Sequence, residues 1–367
     1  MVDFTVAIPT YNGETRLPEV LERLREAKLV LSNKLPLKKE NFSWEVIVVD
    51  NNSTDNTAQV VKNYQANWRA DCPLKYYFES EQGAAFARQK AVDKARGKFI
   101  GFLDDDNLPT PDWVASAYAF GEIHPQAGAY GSRVQGDFEA SPPEYLKSIA
   151  CFLAIVDRGP LPHKYEPRQK LLPPGAGLVV RKQAWQQAVP RRLFLNHKGR
   201  DAGLASEDLE VVLYIQQAGW EIWYNPQMQI YHKIPAWRCE KDYLISLMRC
   251  IGLSRHHLRM LRLSSWQRPL VTLLHLLNDL RKLVQHWLKT RGASGSDVAV
   301  ACKRQLLLSS LMSPCFLWKK RYFDWLSQQK HRQGIDCFQN SLLNQKSGLY
   351  NQPVISLKSG RTEDKIN

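Results

Sequence analysis

Four short apolar runs, alternating with stretches of helical periodicity, leave the first part of this chain few folds to adopt. Residues 4–9 (FTVAIP), 44–50 (WEVIVVD), 74–78 (LKYYF) and 99–103 (FIGFL) are rich in β-branched and aromatic side chains and read as strands. Helical patterns at 17–27, 57–67 and 84–95 separate them. Strands joined through helices lie parallel, since the crossover helix packs back on the sheet with one hand. The expectation is an α/β fold on a mostly parallel sheet. The Lys-rich stretch 28–41 reads as a solvated loop, and Thr110 followed by Pro111 reads as the cap and first residue of a further helix.

Polar residues gather where the strands end. The first strand runs into Pro9, Thr10, Tyr11 and Asn12, the second into Asp50 and NNSTDNT, and the fourth into Asp104, Asp105 and Asp106. In a parallel sheet these ends share one edge, where a nucleotide can meet Thr10, Asn12, Asp50 and Asp104 together. Three consecutive carboxylates repel one another unless cations or hydrogen-bond donors offset the charge, and a hard divalent cation with oxygen ligands answers that need. In extended chain, alternate residues point the same way, so Asp104 and Asp106 can share an ion while Asp105 faces elsewhere. The plainer alternatives are an acidic turn before a helix and an Asx-rich turn at 50–55. Neither GxGxxG nor GxxxxGK[ST] follows the first strand, so diphosphate charge would fall to a metal and a basic side chain, with Arg88 nearest in sequence.

The middle of the chain adds three features. PPGAGLVVR carries Gly175 and Gly177 ahead of a β-rich run, suiting either a tight turn or close backbone approach to a ligand. In LASEDLEVVLYIQQAGW, Ser206 can cap a helix, Glu207 and Asp208 suit its N-terminus, and Gly219 ends it. His232, in IYHKIP after a short strand, is either a ligand or a hydrogen-bonded structural histidine.

IPTYNG, VVDNNSTDNT, QGAAFARQKAV and FLDDDN, in this order and spacing, resemble the N-terminal half of family 2 glycosyltransferases with the GT-A fold. The resemblance covers about residues 4–232. It implies a Rossmann-like nucleotide-binding sheet, a nucleotide-diphospho-sugar donor (a UDP-sugar first) and Mn2+ or Mg2+ as cofactor. It also implies that Asp50 holds the base and that Asp104 and Asp106 meet the base, ribose and metal-diphosphate region. Pro9, Thr10, Asn12, Arg88, Asp105, Gly175 and Gly177 join the expected donor site, and Asp106 and His232 the metal. The family's acidic pair falls on Glu207 and Asp208, with the catalytic base at Asp208. An aspartate at the middle position, Asp105, departs from the commonest family pattern and leaves open which aspartate meets the metal. The QxxRW signature of processive synthases is absent, favouring addition of single sugars. The layout also resembles cyanobacterial hormogonium-polysaccharide glycosyltransferases, a narrower likeness that supplies no substrate.

The reaction so implied needs a carboxylate to take the acceptor hydroxyl proton and a cation to absorb charge on the departing diphosphate. A polysaccharide or lipid-linked glycan is the expected acceptor. A sugar-phosphate nucleotidyltransferase would also use strand-end aspartates and metal, but IPTYNGETR is unlike a Gly- and Arg-rich triphosphate loop.

Charge sets the rest of the chain apart. Of a formal net charge of +14, nearly all comes from residues 231–330, which hold 18 Lys and Arg against 5 Asp and Glu. Within that stretch Leu273, Leu277, Leu280, Val284 and Trp287 recur at spacings of four and three beside Arg281 and Lys282, which is an amphipathic helix. Packing on the catalytic domain and contact with an anionic membrane surface are both open to it. No nucleic-acid-binding module is recognisable, so nucleic acid is the less favoured anionic partner. The expected organisation is a GT-A domain over 1–235 (donor half about 1–107, acceptor half about 108–235), a helical basic extension over 236–332 and a flexible tail over 333–367. Scattered cysteines without CxxC spacing, and no visible secretory signal or span, suggest a cytoplasmic protein peripheral to the inner membrane face.

Overall fold

A computed structural model describes residues 2–27, 42–166, 172–198, 202–291 and 297–349. The expected loop at 28–41 and residues 350–367 of the expected tail lie outside the described residues. The chain divides into two compact units, Met1–Pro314 and Cys315–Asn367.

In chain order the first unit runs β1 (Phe4–Thr10), α1 (Leu17–Arg25), β2 (Trp44–Asp50), α2 (Thr57–Ala66), β3 (Leu74–Phe78), α3 (Ala84–Lys94), β4 (Phe99–Phe102) and β5 (Asn107–Pro109). Then come α4 (Trp113–Ile123), β6 (Ala127–Phe138), β7 (His163–Lys164), β8 (Val179–Arg181), α5 (Lys182–Ala188), β9 (His197–Lys198), β10 (Ala202–Gly203), α6 (Glu207–Gln217) and β11 (Glu221–Ile234). Helices α7 (Lys241–Leu261), α8 (Arg268–Lys289) and α9 (Val298–Leu349) follow.

The main sheet has the order β3-β2-β1-β4-β8-β6-β11-β5, with β7 on β11. Strands β1 to β4 are parallel, as are β6 and β11, while β8, β5 and β7 pair antiparallel. β1 and β2 are buried along nearly their whole length, as expected of strands covered by helices on both faces. In register, Thr10 lies beside Asp50, and Leu103 N donates to Ala7 O, so the C-terminal ends of β1, β2 and β4 form one edge. At the other half of the sheet, β11 pairs with β5 so that His232 lies opposite Asn107, and Lys233 N donates to Asp106 O. That pairing brings His232 to the aspartates.

Two local expectations are corrected. α4 starts at Trp113 rather than Pro111, and Thr110 Oγ1 donates to Asp112 Oδ1 instead of capping the helix. Ser206 precedes α6 in the left-handed region, φ 81°, and makes no side-chain cap. A non-glycine residue there is strained, and such strain collects at functional sites.

Within the first unit, α7, α8 and the start of α9 are tied to α6 and to one another. α7 sends His257 Nε2 to within 2.9 Å of Glu210 Oε1, a fully buried carboxylate whose oxygens also accept Phe194 N and Leu195 N. Arg259 on α7 makes a two-pronged pair with buried Asp279 on α8, at 2.5 and 3.0 Å, and Ser310 Oγ on α9 donates to the same carboxylate at 2.9 Å. The inward face of α8 is thus partly polar, and its leucine stripe faces solvent. α9 is assigned through Leu349, so residues 333–349 of the expected tail are helical. The boundary between the units falls at Pro314, whose ring removes one helical hydrogen bond.

Candidate active site

The strand-end edge opens into a cavity of about 670 Å3, a size that holds a small ligand. Pro9, Thr10, Asn12, Arg88, Asp104, Asp105, Asp106, Glu207 and His232 all line it, so strand ends far apart in sequence converge. Asp50, Asp208, Gly175 and Gly177 are not among its lining residues. Asp50 is buried, its oxygens accepting Ser53 N at 2.9 Å and the Tyr76 hydroxyl at 2.7 Å. Asn51 lines the cavity beside it, and its Oδ1 accepts Gly83 N.

Each of the three consecutive aspartates has its own arginine, which is how their repulsion is offset. Asp104 Oδ1 accepts Arg88 Nη2 at 3.0 Å. Asp105 accepts Arg16 through Nε and Nη2, both at 2.9 Å, and Thr10 Oγ1 at 2.6 Å. Asp106 Oδ2 lies 3.0 Å from Arg238 Nη1. Two-pronged pairing makes the Arg16–Asp105 contact the most directional of the three, and it locks the middle aspartate to the loop after β1.

Asp106 and His232 form a second cluster. His232 Nδ1 is 2.9 Å from Leu153 O, a carbonyl that can only accept, so Nδ1 donates there and the ring is fixed with Nε2 toward Asp106 and Arg238. Nε2 lies 3.6 Å from Asp106 Oδ2 and 3.1 Å from Arg238 Nη1. Burial opposes ionisation of Asp106, but the adjacent His232 ring, then Arg238 and Arg16, outweigh it and hold the carboxyl at about 2. An anionic oxygen and an imidazole nitrogen at this separation, with the far ring nitrogen fixed by a carbonyl, suit a divalent cation. Among the described residues no group of three or more His, Cys, Asp and Glu side chains gathers as a metal cage. A pair of protein ligands is nonetheless the usual complement for Mg2+ or Mn2+ when phosphates supply the others.

The opposite end is built by α6 and the glycine segment. Glu207 Oε1 accepts Arg88 Nη1 at 2.6 Å, so one buried guanidinium joins Glu207 to Asp104. Burial opposes the Arg88 charge, yet Asp104, Glu207 and Asp208 outweigh it and raise its pKa. Asp208 Oδ2 accepts Gly175 N at 2.6 Å and Oδ1 accepts Leu209 N at 2.8 Å. A side chain at Gly175 would meet Asp208 Cβ at 3.0 Å and Arg88 Nη2 at 3.1 Å, which explains a glycine there. Gly177 is needed for its backbone instead, since with φ 66° it turns the chain against Ser132, whose Oγ donates to its carbonyl. Burial and the neighbouring Glu207 push the Asp208 carboxyl up to about 6, against the opposing effect of Arg88.

Sequence patterns did not single out Arg16, Arg238 or the wall made by Trp237, Tyr243, Leu247 and Cys250. Arg238 follows His232 closely in sequence, and that proximity was the available signal. Periodicity cannot reveal which side chains of α7 meet a strand edge.

Residues 5–180 match the sequence profile of Glycosyl transferase family 2. Among similar proteins, the Glucosyl-dolichyl phosphate glucuronosyltransferase of Haloferax volcanii is 26% identical over 168 residues, covering 46% of this chain and 53% of that protein. The Poly(ribitol-phosphate) beta-N-acetylglucosaminyltransferase TarS of Staphylococcus aureus is 32% identical over 124 residues, covering 34% of this chain and 20% of its own. The chain thus spans about half or less of the length of these curated relatives. In solved structures it resembles the mannosyltransferase PcManGT from Pyrobaculum calidifontis in complex with GDP-Man and Mn2+, with TM-score 0.54 and 18% identity over 86% of this chain and 87% of that one. At that identity the likeness speaks for the fold, which is GT-A.

Proposed function

Since residues 5–180 match the profile of glycosyltransferase family 2, we propose that this chain is a metal-dependent, inverting glycosyltransferase of that family. It moves a sugar from a nucleotide-diphospho-sugar, a UDP-sugar first, to a polysaccharide or lipid-linked acceptor. The observation that carries this reading is the division of labour among the acidic groups, with Asp106 beside His232 kept ionised and Asp208 kept near neutral pKa.

Thr10, Asn12 and Asn51 face the nucleoside end of the donor, with Asp50 holding the β2 end in shape behind them. Asp106 Oδ2 and His232 Nε2 are the residues that would hold Mn2+ or Mg2+. Bound there, the cation neutralises charge growing on the departing diphosphate. Asp208 takes the acceptor hydroxyl proton on its carboxylate; with a pKa near 6 it is largely ionised at neutral pH and basic enough to accept a proton. Glu207 is committed to Arg88 and orients the start of α6. A single base without a second nucleophile gives inversion.

The acceptor meets the wall of Trp237, Tyr243 and Leu247, whose apolar and aromatic surface suits a lipid-linked glycan. The Haloferax relative, named for glucosyl-dolichyl phosphate, supports that class. The mannosyltransferase solved with GDP-Man and Mn2+ supports the donor type and metal. The same reading places the protein peripherally at the inner membrane face; among the described residues no helix is long and apolar enough to cross a membrane.

The test is a thermal-shift screen of the purified protein against UDP-, GDP- and CMP-sugars, with and without manganese. One nucleotide class should stabilise the protein, and more strongly with metal. No stabilisation by any member of the panel overturns the reading.

A further inference from the structure

Helix α8 is amphipathic in the reverse of the usual sense. Its buried side carries Asp279, held by Arg259 and Ser310, and His286, 3.2 Å from Val300 O. Its outer side carries Leu273, Leu274, Leu277, Leu280, Val284 and Trp287, each 47–57% exposed. Surface helices of globular proteins turn such a stripe toward a core. A contiguous exposed apolar face therefore marks an interaction surface.

Charge identifies the occupant. Arg281 stands on the exposed face, Arg268 and Lys289 mark the helix ends, and residues 231–330 hold 18 basic against 5 acidic side chains. A second copy would bring the same positive charge against itself. An anionic lipid surface complements both features, because apolar side chains enter the acyl boundary while basic ones remain among the headgroups. Trp287, stacked under Arg291 at 3.8 Å, and Trp266, 79% exposed just before α8, put indoles near both ends of the helix, as interfacial segments do. A cavity of about 570 Å3 adjoins the stripe through Val284 and Trp287, and Arg291 and Arg304 are among its lining residues, together with Asp297.

We propose that α8 is a monotopic docking surface that lies flat on an anionic lipid leaflet through its exposed leucine stripe. This deepens the reading of a membrane-facing acceptor, but it rests on residues outside the donor cavity, so the two can fail separately. The experiment is co-sedimentation of the full chain, without nucleotide sugar, on vesicles of phosphatidylcholine containing phosphatidylglycerol and on pure phosphatidylcholine.

Binding to the anionic vesicles should be at least about 10-fold tighter and should weaken with salt. The combined variant Leu273→Ser, Leu277→Ser, Leu280→Ser should bind them roughly 100-fold more weakly, about fivefold for each half-exposed leucine. Arg281→Gln with Lys282→Gln should cost about 25-fold, each basic residue near such a surface being worth about fivefold. Nucleotide-induced thermal shifts should stay as in the parent for both variants, which separates docking from donor binding. Equal binding of the triple-serine variant and the parent, or equal binding to both vesicle types, overturns the proposal. So does light scattering that shows a parent dimer converted to monomer by the serine substitutions, which would assign the stripe to a second copy.

Discussion

Asp106, after β4, and Asp208, at the start of α6, both sit in crowded acidic surroundings, yet one is held at about 2 and the other pushed up to about 6. Burial acts against ionisation of both. The difference lies in the neighbours: Asp106 faces His232, Arg238 and Arg16, whereas Asp208 lies beside the carboxylate of Glu207 and shares Arg88 with other acids. Carboxylates whose environments pull their pKa values apart fall into different chemical roles. A permanently ionised group suits a cation, and a group titrating near neutrality suits proton transfer.

The largest expected effect tests the base. Asp208→Asn should lower transfer about 100-fold or more, with nucleotide affinity near the parent's, because the amide oxygen keeps one of the two backbone N–H contacts but the group takes no proton. Glu207→Gln is the paired control and should lose less. If Asp208→Asn keeps most of its activity while Glu207→Gln loses it, the roles within the pair are reversed.

Next in size is the cation end. Asp106→Ala should weaken Mn2+-dependent UDP binding by about 100-fold, at or beyond the upper end of the 10–100-fold typical for groups that only support a ligand. Calorimetry in the presence and absence of manganese measures it. A parent whose UDP affinity ignores metal would remove the distinction between the two ends altogether.

The pH dependence sharpens the comparison further. Asp208 must be ionised to act, so kcat/KM should fall about tenfold per unit below pH 6 and level off above it. The stability effects have opposite signs. Asp106, depressed on folding, stabilises above its unfolded pKa of about 3.9, and that contribution is lost as pH falls through about 2. Asp208, raised on folding, costs stability as pH climbs from about 3.9 to about 6. A pH profile without an acid limb near 6 in the parent, or with the limb intact in Asp208→Asn, would assign the titration to another group.

The smallest effect concerns Arg238, whose guanidinium contacts both residues that would hold the cation. Arg238→Ala should tighten Mn2+ binding in the absence of nucleotide by about fivefold, as removal of a competing charge does. Manganese titration followed by electron paramagnetic resonance reads this directly. Weaker binding would make Arg238 a helper of the metal site rather than its competitor.

Much of this was legible in the sequence wherever the determinants are local. β1 to β4 and the helices between them lie within a residue or two of their expected bounds, since doubly covered strands are continuous apolar runs. The strand-end residues followed from the same pattern. Long-range partners did not: nothing in FIGFLDDDN assigns Arg88, Arg16 and Arg238 one to each aspartate. The α8 stripe shows a further limit, because periodicity tells which leucines share a face but not whether that face meets protein or solvent. Thr110 and Ser206 have the chemistry of caps, but the Thr110 hydroxyl goes to Asp112 and Ser206 sits in the left-handed region without a side-chain cap.

Buried Glu210 makes the chain resistant to cut-and-paste engineering. Its carboxylate ties His257 of α7 to the backbone at Phe194 and Leu195, and the next residue, Asn196, accepts Ala85 N while filling the space beside Gly83. Gly83 in turn donates to Asn51 in the donor cavity. A fragment ending after β11 would leave that carboxylate without its imidazole and without the helix that carries it. A chimera carrying helices from a relative would inherit the same defect unless it kept the Glu210–His257 pair. Recombination between such proteins can therefore exchange what lies outside this relay, while α6 and α7 must travel together with the loop before them.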